Sequence, residues 1–142
     1  MAAYDRGAAV ETELDEIGRD ECLALLASMA LGRIAVNAPG WPPVIRPVTY
    51  VFDERSTSVV FGSAEGSKLT TLLRSERAAF EIDGVDPVEG TGWSVIVVGP
   101  VEEITNAAER ERLSEAGLRG ELRHLMRIRA TVVSGRRIAH LV

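Results

Sequence analysis

Apolar and polar positions alternate along this chain with two different periods, and the changes of period mark its elements. Cys22, Leu25, Leu26 and Met29 recur at i, i+3, i+4 and i+7, which predicts a helix opening after Gly18 and closing near Leu31–Gly32. Arg33 to Asn37 then alternate as a strand does, and Ala38 to Pro43 are dense in turn-forming residues. A second strand is predicted from Val44 to Phe52. Pro47 stands in its middle and has no N–H for a ladder, so this strand belongs at a sheet edge or a bulge, where it can face a ligand. A turn over Asp53–Ser56 returns the chain as a hairpin into the run Thr57, Val59, Val60, Phe61, which breaks at Gly62. After Gly66 the period lengthens again, and Leu69, Leu72 and Leu73 predict a helix from Ser67 to about Ser75.

Strands are predicted over Ala78–Asp83 and Trp93–Ile104, with a loop from Gly84 to Gly92 between them. The second is apolar on both sides, with Trp93, Val95 and Val97 on one and Ile96 and Val98 on the other. That predicts burial of both faces, one inside a barrel and the other against a covering helix or a second subunit. Gly99-Pro100 predicts a bend. Asn106 is placed to cap a helix from Ala107 to about Ala116. Leu125–Val133 reads as a strand, Ser134-Gly135 as a turn, and Arg136–Val142 as a last strand. Met1 to about Ile17 is acidic and aperiodic, which predicts a mobile arm ahead of one domain spanning 18–142. Six or seven strands joined mostly by hairpins predict a mainly β protein: a small antiparallel barrel with a few flanking helices.

Composition narrows the function classes. With 142 residues, a formal net charge of −5 and a sequence pI of about 5.1, the chain lacks the basic footprint of a nucleic-acid binder. Its longest apolar run, Leu23 to Leu31, is too short to span a bilayer, so a soluble, cytoplasmic protein with no membrane partner is expected. The single cysteine, Cys22, lies on a helix stripe and reads as a buried thiol.

Candidate chemistry gathers at the strand–turn–helix of Val59–Leu73. Ser63, Gly66, Ser67 and Lys68 lie where the first helical turn presents unpaired N–H groups, an arrangement that suits a phosphate. The same residues also suit a simple helix cap with a solvated lysine. His124 and His140 lack metal-site spacing, so solvent-facing or core positions are expected of them, and no metal. Arg136-Arg137 reads equally as an exposed strand end or as a cofactor or partner contact. Trp41 reads as surface packing, and Trp93, on its own residues, as core.

Taken in order, Leu31-Gly32-Arg33-Ile34-Ala35-Val36, Arg46-Pro47-Val48-Thr49-Tyr50, Phe61 through Lys68-Leu69, Ala79-Phe80-Glu81-Ile82-Asp83, Gly92-Trp93-Ser94-Val95 with Gly99, and Ser134-Gly135-Arg136-Arg137-Ile138 form a set. This set resembles the pyridoxamine 5′-phosphate oxidase-like family of flavin-binding split β-barrels, particularly its short actinobacterial-type members, over roughly residues 20 to 140. The resemblance implies a homodimer with FMN in clefts at the subunit interface and a small-molecule substrate. Lys68 and Ser63 would hold the FMN phosphate, with Gly62 and Ser67 in the same turn and Phe61 leading into it. Pro47, Val48 and Thr49 would border the ring, and Trp93 would lie near the interface cleft.

Two departures stand out. Many relatives carry arginine where this chain has Gly62, and one charge-assisted bond is worth about 1.5–3 kcal/mol, or roughly one to two decades of affinity. Arg46 or Arg136 is a candidate to compensate. The stretch Leu118–Leu125 also lacks the tryptophan and prolines common in relatives, so the cleft rim is expected to differ. The implied activity is that of a flavin-dependent oxidoreductase other than pyridoxamine-phosphate oxidase itself. The alternatives are a deazaflavin-dependent reductase on the same barrel and a non-enzymatic dimeric ligand-binding barrel.

Overall fold

The fold is described from a computed structural model, for residues 14–37, 39–63, 73, 77–118 and 124–139. Among these residues nine strands and two helices occur in the order β1 (Leu14–Ile17), α1 (Arg19–Ser28), β2 (Leu31–Val36), β3 (Val44–Thr49), β4 (Val51–Asp53), β5 (Ser58–Ser63), β6 (Arg77–Asp86), β7 (Thr91–Glu103), α2 (Ala107–Glu115), β8 (His124–Arg129) and β9 (Val132–Ile138). Every pairing is antiparallel, and the sheet curls into a half-barrel.

The long strand β7 belongs to two sheets. Its first part lies between β6 and β9, and β2, β3 and β1 extend that sheet. Its last residues, Val101–Glu103, pair with β8, which leads on to β5 and β4. The transfer falls at Gly99-Pro100, as the predicted bend requires. A Cβ built on Gly99 would stand 1.8 Å from the Arg129 carbonyl oxygen, so only glycine lets the two backbones approach this closely.

The inner faces enclose one apolar core. β2 alternates strictly, burying Ile34 and Val36, and β7 contributes Val95 and Val97. Val59 and Phe61 of β5 face Met126 and Ile128 of β8 across this space. α1 closes it with Cys22 and Leu26, both buried, as their helical spacing predicts, while Met29 lies outside the helix at 36% exposure. Burial is the main reason the Cys22 thiol titrates above its ordinary range. A smaller cluster of Val60, Ile104, Leu113 and Leu125 fills the space between the second sheet and α2. α2 starts where Asn106 Oδ1 accepts from the Glu109 N–H at 2.9 Å.

Several predicted boundaries move. The arm expected up to Ile17 ends in a strand, Leu14–Ile17, which pairs with β9. The Val44–Phe52 strand is two: β3, an edge strand carrying Pro47, and β4, which joins the other sheet after Tyr50. β5 runs through Gly62 to Ser63 instead of breaking there. The Gly84–Gly92 loop contracts to a four-residue turn, because Asp86 Oδ1 accepts from the N–H groups of Val88 and Glu89 and Gly90 takes φ +68°. Ser134-Gly135 is strand interior. The turn lies at Ala130-Thr131, and Arg127 is buried among the apolar residues of β8. The second face of β7 is not buried by the chain itself, since Ile96 is 39% exposed. The helix predicted from Ser67 lies outside the described residues, apart from Leu73, which is buried.

Candidate functional site

Ser63 ends β5 and is buried on the inner face, two residues on from Phe61, whose side chain is wholly buried in the core. The hydroxyl of Ser63 thus ends the inner row that Val59 and Phe61 begin, while Phe61 supplies packing. Gly62, half-buried, points to the α2 side opposite Leu125. Ser67 and Lys68, with the Gly66 that precedes them, lie outside the described residues, as does His140.

Directly opposite Ser63 is His124. Its Nδ1 stands 2.8 Å from Glu103 Oε2, and the two side chains are 16% and 28% exposed. Both belong to the inner face: His124 alternates with Met126 and Ile128, and Glu103 pairs with Met126. This histidine is therefore neither solvent-facing nor apolar core. Nothing local in the sequence pairs it with Ser63 or Glu103; only the register of β5, β8 and β7 does.

The β3 residues occupy a sheet edge, where backbone groups lack a neighbouring strand. Arg46 and Pro47 are exposed, Val48 packs on the core, and Thr49 lines a small cleft of about 190 Å³ with Ala30, Tyr50, Gly117 and Leu118. Burial pushes the Tyr50 phenol up to about 12, and its hydroxyl donates to the Leu26 carbonyl at 2.6 Å. The rim residue Leu118 thus meets β3, although the residues after it are outside the described set. That cleft is smaller than a ligand pocket of about 300 Å³ or more, so one chain does not enclose a flavin here.

Trp93 lies elsewhere. Its half-buried indole spreads over Gly84, where a Cβ would stand 2.5 Å from the ring nitrogen. The ring borders a cleft of about 410 Å³ with Asp86, Thr91, Arg137 and Ile138. Ten residues of β7, up to roughly 30 Å of strand, separate Trp93 from Glu103. One chain therefore does not bring Trp93 and Ser63 together. Neither compensating arginine reaches Ser63 within the chain: Arg46 Nη1 donates to the Ile45 carbonyl at 3.2 Å, and Arg136 pairs with Glu16 at 3.2 Å. Arg137 pairs with Glu21, and Trp41 is 45% exposed.

Among the described residues no His, Cys, Asp and Glu cluster could hold a metal ion, and no helix is long and apolar enough to cross a membrane.

An antiparallel sheet curled into a half-barrel, with β7 shared between two sheets, defines a class of fold, and sequence comparison places the chain within it. Residues 18–137 match the model of the pyridoxamine 5′-phosphate oxidase family, and the chain belongs to that family. It is 33% identical over 135 residues to the uncharacterised protein Rv0080 of Mycobacterium tuberculosis, covering 89% of this chain and 86% of that one. It is 34% identical to the FAD-binding protein of Mycobacterium smegmatis, whose structure superposes with a TM-score of 0.75 over 86% of this chain and 96% of that one. An FAD-binding protein of Mesorhizobium loti, at 22% identity, shares the fold with a TM-score of 0.71, over 87% of this chain and 97% of that one.

Proposed function

We propose that this protein binds a flavin nucleotide and works as a flavin-dependent oxidoreductase on a small molecule. The observation that carries the reading is the 34% identity, over nearly the whole length, with a protein that binds FAD. The residues fit such a group. A buried hydroxyl, Ser63, ends β5, Lys68 follows five residues on in the sequence, and the edge strand β3 offers Pro47, Thr49 and the backbone at Val48 to a planar ring. FMN is the simplest occupant, and the FAD of the relative extends the same chemistry to a diphosphate. When bound, the flavin would supply hydride or electron transfer; the chain would supply anchorage, orientation and exclusion of water.

The bound state in this reading is a homodimer. Register partners Ile45, Ala35, Ala79, Val98 and Val132 form an apolar row across the outer face of the first sheet, with Ile45 63% and Val132 52% exposed. Beside it Arg33 reaches Glu81 at 3.0 Å and Asp83 at 3.1 Å. Such a surface carries both signs of charge, so it can meet its own copy. A second copy would also supply what one chain leaves apart, a Trp93 cleft beside the Ser63 end of β5.

The test is fluorescence-quenching titration with FMN, FAD and a deazaflavin, on the wild type and on Lys68→Ala. The expected result is saturable micromolar binding of FMN or FAD that Lys68→Ala weakens about tenfold or more. Binding of the deazaflavin alone, or of none of the three, would overturn it.

A further inference from the structure

We propose that His124, braced by Glu103, is an additional contact for the flavin's phosphate. The assignment rests on the flavin reading above. It starts from the register: in an antiparallel ladder, directly opposed residues hold their Cα atoms about 4.5–5.5 Å apart with side chains on one face, and Ser63 is opposed to His124. Any anion anchored by Ser63 at the end of β5 therefore lies within reach of the imidazole.

The third member sets the direction of the ring. A carboxylate only accepts, so Glu103 Oε2, 2.8 Å from Nδ1, places a proton on that nitrogen and leaves Nε2 to face another group. With both nitrogens protonated the ring is a cation that donates to Glu103 on one side and to a phosphate oxygen on the other. Glu103 would repel a phosphate on its own; with its oxygen engaged by His124 it holds the ring in place. The pair is largely sheltered from water, which strengthens a charged contact made there. Among the described residues, the side chains facing His124 from the neighbouring strands are Ser63 of β5 and Glu103 of β7. Arg127, the next cation on β8, lies on the opposite face, where it binds Glu109 at 2.5 Å.

The test compares FMN with riboflavin, which has the same ring and no phosphate, on the wild type, His124→Ala, His124→Gln and His124→Arg. Circular dichroism and thermal unfolding establish that each variant is folded; should His124→Ala not fold, His124→Gln carries the test. The expected result is that the neutral variants weaken FMN about tenfold while riboflavin changes less than about twofold, and that His124→Arg restores FMN affinity. Equal weakening of both ligands would reduce His124 to a structural residue, and unchanged FMN affinity would remove it from the site. In either case the flavin reading stands. A wild-type protein that binds no flavin overturns that reading and this one together.

Discussion

The two outer faces of the barrel make opposite use of similar apolar strands. On the second sheet, Val60 and Leu125 are covered by the chain's own helix α2 through Leu113, and a charged network borders them. There Arg112 binds Asp53 at 2.9 Å, and Arg127 binds Glu109. On the first sheet, the row from Ile45 to Val132 has no helix over it among the described residues, and its ion pairs stand at the margin. The difference teaches that apolar alternation along a strand does not by itself say what covers it. One face is covered by the chain's own helix; the other, among the described residues, is not.

Mutations should separate the two faces by size of effect. Gly99→Ala strikes the corner both faces depend on, where its methyl would overlap the Arg129 carbonyl. A loss of more than about 3 kcal/mol in chemical denaturation is expected. Leu113→Ala uncovers the second sheet and should cost about 3 kcal/mol in the same assay. Acid should act on that face next. Burial by itself raises the Asp53 carboxyl, but bonds from Arg112 and Ser56 and the charge of Arg112 outweigh it, holding the group at about 2 instead of 3.8. Its folded pKa is depressed, so its contribution of about 2 kcal/mol is present above pH ~4 and lost as pH falls through about 2. Asp53→Asn should flatten a stability–pH profile across that window. Ile96→Lys, on the bare face and opposite Glu81, should change the unfolding free energy of the monomer by less than about 0.5 kcal/mol. In sedimentation, however, it should halve the mass of a dimer. An unchanged mass would dissociate this face from assembly.

Much of the barrel was legible because strands such as Arg33–Asn37 alternate, because Trp93–Ile104 forms a long apolar run, and because Pro47 marks an edge. What failed were local signals overruled by distant partners. Ser134-Gly135 has turn chemistry, yet β9 stays extended there because β1 and β7 pair with it on both sides. Val44–Phe52 looks continuous, yet Tyr50 leaves the ladder to bury its ring against Phe80, at 4.7 Å between centroids. At the candidate site, Ser63 was a candidate from the sequence alone. His124 and Glu103 were not, because they join it through strand register, which leaves no trace in local composition.

The double membership of β7 also governs how quickly the chain can find its fold. Neither sheet is complete until strands far apart in sequence arrive: Leu14 pairs with Ile138, Ser58 with Arg129, and Arg33 with Glu81. Hairpins such as β6–β7 can close early, but both sheets meet on one strand, and β8 and β9, which flank it, come from the last part of the chain. Loop-closure entropy must be met before those pairings contribute, which places folding on the millisecond-to-second scale of non-local β topologies. Until β8 and β9 arrive, the exposed edges of β5 and β7 are open to pairing with another chain.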